Sequence, residues 1–250
     1  MPKNIIYLTT PRSGSWAITS RLALYFKQKE NRVFLGEYFN PSFSSFDFDI
    51  EEKRFHLGPL SYDASKMLKA VKVLGPQNAQ KAVLEKRLAF LKSSGQKHFF
   101  KHAALNERMY QELKRGSLFI FGERRELWPQ FLSYALAFET GLYQEGREKL
   151  SKNRKIEVKE ATMARFNMFL KAYWQWKKII IEDGRGGKVF YYEDFKEDQF
   201  VLMDGKKLTT PMEGWNRDTP VLKEKESLIE NLADCKTWFK DHFREQNSPG

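Results

Sequence analysis

Between Thr9 and Trp16 the chain reads TTPRSGSW, placing Gly14, the hydroxyls of Ser13 and Ser15, and the guanidinium of Arg12 within five residues. A short apolar run precedes this segment and helical periodicity follows it. Backbone N–H groups at such a strand-to-helix turn point outward, and the helix dipole adds partial positive charge, so an anion is favoured there. Gly14 allows close backbone approach, Ser13 and Ser15 can donate to phosphate oxygens, and Arg12 supplies a fixed charge with a planar donor fork. The triphosphatase loop G-x-x-x-x-G-K followed by Ser or Thr needs an earlier glycine and a later lysine, and neither is present, so a nucleoside kinase or GTPase is not expected. Alone, a Ser-Gly-Ser turn before a helix is equally an ordinary N-capped loop.

A second candidate anion site is RELWPQFLS, from Arg125 to Ser133. Leu118–Phe121 reads as a strand, Arg125 leaves its carboxyl end, and Phe131, Ala135, Phe138 and Leu142 give the next helix a buried stripe. Arg125 and Ser133 can then converge on one phosphate through charge-assisted hydrogen bonds. The alternative is a solvated charge cluster, since Arg124 and Arg125 stand between Glu123 and Glu126.

The elements that must position these groups are short. Ile5–Leu8, Val33–Leu35, His98–Phe100, Leu118–Phe121 and Val189–Tyr192 read as buried strands separated by helical or irregular sequence, which favours a parallel sheet covered on both faces. The helix after the first strand buries Ile18, Leu22, Tyr25 and Phe26. Two helices broken at Gly75-Pro76 are expected between Tyr62 and Ser94, forming a helical insertion or lid over about 60–95, with Leu84, Leu88 and Leu91 on one face. Residues 160–182 form an aromatic helix whose stripe of Phe166, Phe169, Leu170, Tyr173 and Trp174 reads as core. Leu228, Leu232, Cys235, Phe239 and Phe243 line one face of a terminal helix.

Four blocks in order resemble the PAPS-dependent sulfotransferases, which use 3′-phosphoadenosine-5′-phosphosulfate as sulfuryl donor. Pro11-Arg12-Ser13-Gly14-Ser15 is similar to their 5′-phosphosulfate loop, and Leu35-Gly36-Glu37-Tyr38-Phe39-Asn40-Pro41 to the second-strand motif of the bacterial trehalose or carbohydrate type, whose glutamate is the catalytic base. Arg125 to Ser133 has the Arg-x7-Ser spacing of their 3′-phosphate site, and VFYYEDF, Val189 to Phe195, resembles their late Tyr-Glu-Asp-Leu segment. The likeness anchors residues 4 to about 195. It leaves 60–95 and 200–250 unassigned. It departs from the pattern at Trp16, where many relatives carry another hydroxyl, which removes a donor from the loop and puts an indole near the nucleotide or acceptor.

The resemblance implies a single domain over 1–250 with a P-loop-type α/β fold: a parallel sheet of about five strands flanked by helices. It implies in-line transfer of a sulfuryl group from PAPS to a hydroxyl or amine acceptor, releasing 3′-phosphoadenosine-5′-phosphate (PAP). Positioning and electrostatic stabilisation dominate such a transfer, with a base removing the acceptor's proton. Arg12 suits the leaving phosphate, although arginine is a poor acid. Donor binding falls to Arg12, Ser13, Gly14, Ser15, Trp16, Arg125 and Ser133. Glu37 is the favoured base because it follows the second strand. His102 competes, since Lys101-His102 is similar to the Lys-Thr-His segment of the cytosolic branch, without its Thr and following Leu-Pro.

Composition sets the bounds. The 250 residues are 41% hydrophobic and 15% aromatic, enough for one sizeable core, and the formal charge of +11 favours anionic partners. One cysteine and scattered histidines give no disulfide framework and no metal constellation, so no metal cofactor is expected. The N-terminus lacks the pattern of a signal peptide and no stretch is apolar enough to span a bilayer, so the expectation is a cytoplasmic enzyme without a membrane anchor. Two other classes stay open: a nucleotide-binding protein that has lost catalysis, suggested by Trp16, and a basic nucleic-acid-binding module, suggested by charge and aromatics. No recognised nucleic-acid motif supports the second, and the acceptor is not legible.

Overall fold

The computed structural model of the chain describes residues 2–13, 15–37, 46–49, 54–57, 76–102, 105–141, 155–196, 205 and 222–243. Strand β1 (Asn4–Thr9) is buried along its whole length. Ile6 and Leu8 face one side and Ile5 and Tyr7 the other, so the run must be apolar at every position, as a strand covered on both faces requires. It pairs in parallel with β5 (His98–His102) on one edge and β6 (Ser117–Glu123) on the other. Strands β2 (Val33–Phe34) and β7 (Gly186–Tyr191) complete a parallel sheet in the order β2-β5-β1-β6-β7. The α/β fold with a five-stranded parallel sheet is therefore the one read from the sequence. A separate antiparallel pair, β3 (Phe46–Asp49) and β4 (Arg54–Leu57), was not read from it.

Helices cover both faces. Helix α1 (Ser15–Glu30) lays Ile18, Leu22 and Phe26 on the face of Ile5 and Tyr7. The opposite face receives α2 (Pro76–Ser93) through Leu88 and Leu91, α3 (Glu107–Leu113) through Met109, Tyr110 and Leu113, and α5 (Glu160–Glu182) through Tyr173 and Ile180. The described half of the 60–95 stretch is thus a helix packed on the sheet. The first of the two helices expected there lies outside the described residues. Helix α4 (Leu127–Thr140) follows β6 and carries Pro129 in its first turn, where the missing N–H costs nothing. The short α6 (Tyr192–Lys196) follows β7 directly.

The terminal helix expected from Leu228 onward is broken. Helix α7 (Leu222–Ser227) ends, Ile229 forms a parallel bridge with Ile156, and α8 starts afresh at Leu232 and ends at Phe243. Ile156 N–H donates to the Leu228 carbonyl at 2.8 Å, and the Asn231 amide pairs both ways with the Val158 backbone at 2.9 Å. That ladder takes the backbone groups a continuous helix would need. Cys235, Phe239 and Phe243 of α8 then bury against Phe131 of α4 and Phe166 of α5. Burial pushes the Cys235 thiol up to about 11, so it is a packing residue.

Gly122 is fixed by its neighbour. A Cβ there would lie 1.8 Å from the Tyr7 hydroxyl, so only glycine lets the Tyr7 ring lie over β6. Burial in turn pushes the Tyr7 phenol well above its ordinary range.

At the amino edge a row of neutral polar groups crosses three strands. Asn4 is in register with both His98 and Ser117. His98 Nδ1 lies 3.3 Å from Asn4 Oδ1, its Nε2 3.2 Å from Ser94 Oγ, and Asn4 Nδ2 donates to Ser117 Oγ at 3.5 Å. Beside it the buried Arg32 guanidinium donates to the Lys3 and Pro2 carbonyls and to Glu30 Oε2, stapling the end of α1 to the start of β1. Burial, with Lys3 and Arg32 nearby, holds His98 down to about 4. The unfolded chain, with an ordinary imidazole near 6.5, takes up a proton below that value which the folded chain refuses until about 4. Stability therefore falls as pH drops through this window, by up to about 3 kcal/mol. Denaturant midpoints from pH 7 to 4.5 should show the fall, and His98→Gln should flatten it. An equally steep fall in His98→Gln would place the acid lability elsewhere.

Candidate functional site

The sheet order fixes where a ligand can sit. From β1 the chain leads through α1 to β2 on one side, whereas β6 leads to β7 on the other. Loops leaving the carboxyl ends of β1 and β6 diverge, and the crevice between them is the usual binding place in such sheets. The Thr10–Ser13 loop and the Arg124–Glu126 loop occupy it.

Side chains hold the first loop in shape. Thr9 Oγ1 lies 3.3 Å from the Gly122 carbonyl and 2.5 Å from Ser13 Oγ. Either hydroxyl can donate across the short Thr9–Ser13 contact, and in both cases the pair closes the loop on itself. Ser13, expected to donate to phosphate, is fully buried and spends its hydroxyl inside the loop. Gln130 Nε2 donates to Thr10 Oγ1 at 2.7 Å and to the Pro11 carbonyl at 2.8 Å, fastening the loop to α4. Arg12 stands at φ 62°, a left-handed conformation that costs a non-glycine residue about 1–2 kcal/mol. This strain sits at the expected phosphate loop and presents the guanidinium to α4, where Nε donates to Ser133 Oγ at 3.3 Å. Gly14 and the side chains of Ser15 and Trp16 lie outside the described residues.

The structure pairs Glu37 with Lys101. Leu35 N–H donates to the Phe99 carbonyl at 2.9 Å and Lys101 N–H to the Gly36 carbonyl at 2.8 Å, extending the β2–β5 ladder beyond the strand. Gly36 then turns at φ 63°, a conformation suited to glycine, and Glu37 Oε1 meets Lys101 Nζ at 2.6 Å. The lysine side chain is 4% exposed and the glutamate 19%. Burial pushes the Lys101 ammonium below the ordinary lysine range; Glu37 opposes this, and the positive charge of Arg12 adds to it. Arg12, Lys101 and Glu37 thus share one electrostatic neighbourhood, two cations to one carboxylate. Strand alternation puts Lys101 on the α1 face with Phe99 and sends His102, itself buried, to the opposite face with Phe100. The two candidate bases are therefore not interchangeable.

On the β6 side, Arg125 does not reach toward Ser133 as the spacing suggests. Its Nη1 pairs with Asp194 Oδ1 at 2.6 Å, its guanidinium lies 4.3 Å from the centre of the Tyr191 ring, and its side chain is half exposed. Its backbone N–H donates to Glu193 Oε2 at 3.1 Å. The late Tyr-Glu-Asp segment is thus the clamp on the Arg124–Glu126 loop. A cavity of about 460 Å³ opens beneath, lined by Thr10, Glu123, Arg124, Gln130, Tyr173 and Trp174 among others. Glu123 is engaged there, accepting from Lys177 Nζ at 2.6 Å and from the Tyr173 hydroxyl at 3.1 Å. The aromatic stripe of α5 therefore serves both core and cavity.

Sequence reasoning named Lys101 without a role and missed Gln130. Gln130 had a signal: a polar residue within the apolar stripe of a buried helix needs partners. Among the described residues no group of His, Cys, Asp and Glu could hold a metal ion, and no helix is long and apolar enough to cross a membrane.

No protein-family description and no curated protein matches the chain. Among solved structures, retinol dehydratase in complex with androsterone and the inactive cofactor PAP is similar at 12% identity and TM-score 0.48, covering 100% of this chain and 83% of that one. A second structure of retinol dehydratase, in a complex with retinol and PAP, gives the same identity and coverage at TM-score 0.44.

Proposed function

We propose that the chain is a sulfotransferase that moves a sulfuryl group from PAPS to a hydroxyl or amine acceptor and releases PAP. The observation that carries this reading is the Arg12–Ser133 hydrogen bond. It joins two segments, 121 residues apart, that resemble the 5′ and 3′ phosphate sites of one donor. The residues suit such a donor. Arg12 and Lys101 put positive charge beside the first loop, and the Arg124–Arg125 pair lines an aromatic-walled cavity of the size small ligands need. The donor brings the reactive sulfuryl group, and the protein binds, orients and manages a proton. In this reading Arg12, with Ser15 and the backbone around Gly14 and Trp16, takes the 5′ end. Ser133 and the arginine pair take the 3′-phosphate. Glu37 accepts the acceptor's proton, with His102 as the alternative base.

One observation favours a second reading, a nucleotide-binding protein without turnover. A carboxylate 2.6 Å from a buried ammonium is a weakened base. Kinetics separate the two readings.

PAP should bind at least about tenfold more tightly than AMP by calorimetry, one charge-assisted contact to the extra phosphate being enough for that ratio. Equal affinities would remove the 3′-phosphate site. Glu37→Gln should lower sulfuryl transfer to pooled hydroxyl acceptors by about 10²–10⁴ while PAP still binds. The substitution also breaks a buried ion pair, so the melting temperature should fall and turnover is scored per folded molecule, with PAP protection against melting as the control. Near-normal turnover in Glu37→Gln with collapse in His102→Ala would move the base to His102. Wild-type protein that binds PAP and transfers nothing to any acceptor class would favour the second reading.

A further inference from the structure

Every strand of the parallel sheet is entered through a cation. Arg32 precedes β2, Lys97 precedes β5, Lys3 precedes β1, Arg115 with Gly116 precedes β6, and Arg185 precedes β7. Backbone hydrogen bonds tie these residues to the sheet. Val33 N–H donates to the Lys97 carbonyl at 3.0 Å, His98 N–H to the Lys3 carbonyl at 3.0 Å, Lys3 N–H to the Gly116 carbonyl at 2.8 Å and Phe119 N–H to the Arg185 carbonyl at 3.0 Å. Arg32 is turned inward and consumed by Glu30 and backbone carbonyls. Neighbouring strands lie about 5 Å apart, so the other four form a row of about 15 Å along the amino edge.

The helices widen this row on both sides. They run against the strands, so their last turns reach the same edge: Lys27 and Lys29 of α1 on one face, Lys92 of α2 and Lys114 after α3 on the other. Cations there complement the helix dipoles, but Lys3, Lys97, Arg115 and Arg185 lie outside the helices. The carboxylates of this edge are spent in place: Glu30 on Arg32 at 2.6 Å, Glu112 on Lys92 at 2.5 Å, and Asp183 on the Tyr110 hydroxyl at 2.6 Å. Arg115 and Arg185 are exposed, and among the described residues no carboxylate is within ion-pairing distance of either. Ile181 stands at the same edge, over Gly186, and is 51% exposed.

We infer that the amino edge of the sheet docks on an anionic lipid surface. Its charge comes from the strand starts and from helices on both faces, so it covers a plane rather than a track, which suits a membrane better than a single polymer strand. Clustered Lys and Arg gain together from an anionic leaflet, and an isoleucine exposed among them can enter the headgroup layer. Single-stranded nucleic acid would call for exposed aromatic rings beside the cations, whereas the exposed large apolar side chains among the described residues are Met168 and Ile181. The six residues of β1 span about 20 Å, so docking by this edge leaves the crevice at the carboxyl edge turned to solvent. The docking is independent of the reaction performed in that crevice.

Co-sedimentation of the full chain with vesicles tests it, using phosphatidylcholine alone and phosphatidylcholine with about one-third phosphatidylserine. The chain should pellet with the anionic vesicles only, and raising the salt from about 0.1 M to about 0.5 M should release it. Arg115→Glu combined with Arg185→Glu should weaken the partition at least about tenfold, and the milder pair Arg115→Gln with Arg185→Gln should fall between that and wild type. Lys171→Glu combined with Lys240→Glu, at exposed positions on α5 and α8, changes the net charge equally and should stay within about threefold of wild type. Equal losses in the two Glu pairs would overturn the docking edge, because net charge alone would then explain the binding. A wild type that binds single-stranded RNA and ignores the anionic vesicles would overturn it as well.

Discussion

Strand β1 is hydrogen-bonded on both edges and buried on both faces, and the rest of the structure is arranged around that condition. Its register with β5 and β6 is fixed at five and six paired positions, so Thr9 must leave the sheet at one place, beside Gly122. A one-residue slip would exchange Ile6 and Leu8 for Ile5 and Tyr7 and drive the Tyr7 ring into the wrong layer. Gly122 enforces the same register from the neighbouring strand, since no side chain fits beneath Tyr7. The loop after Thr9 is therefore delivered to the crevice by the core, and its inner hydroxyls only have to keep its shape.

The amino edge of the sheet mixes neutral polar groups with one buried ion pair, whereas the carboxyl edge relies on ion pairs. At the amino edge Asn4, His98 and Ser117 satisfy one another as neutral groups, and Arg32 is consumed by backbone carbonyls and Glu30. At the carboxyl edge charges are kept: Lys101 with Glu37, Arg125 with Asp194, Lys177 with Glu123. Ion pairs near a crevice are a poor route to stability, because desolvation of both partners offsets most of the attraction. These pairs lie at the edge where ligands of such folds collect, beside a left-handed Arg12.

What could be read from the sequence divides by the range of the interaction. Apolar runs and helical stripes are local, and Ile5–Leu8, Leu118–Phe121 and the α1 stripe all appear within a residue or two of where the structure puts them. The break at Ser227–Asn231 is not local, because it depends on a bridge to Ile156 that no pattern in residues 222–243 announces. The partners of Arg125 lie 68 and 69 residues away on α6, so the Arg-x7-Ser spacing could suggest a convergence with Ser133 but could not show a competing carboxylate. Ser133 instead meets Arg12 from the other segment. Lys101 was visible only as the neighbour of His102; its pairing with Glu37 needs the turn at Gly36, which is a statement about φ and not about residue type.

Affinity for an anion is a difference between two states of each cation, and the carboxylates decide that difference. A cation already matched to a carboxylate must give up that pair, or share it, before an incoming phosphate gains anything, so its contribution is the small surplus between two similar contacts. Arg125 and Lys101 are in that position. Their carboxylates also keep the crevice from accumulating unbalanced positive charge, which would otherwise weaken the packing of β5 and of the β6 loop. Arg124, half-buried over the Tyr192 ring and hydrogen-bonded to that tyrosine, has no such ion pair to surrender among the described residues. The acidic residues of the Tyr-Glu-Asp segment therefore do two things at once: Glu193 holds the loop by its backbone, and Asp194 balances the charge of Arg125 beside the cavity that this arginine helps to line.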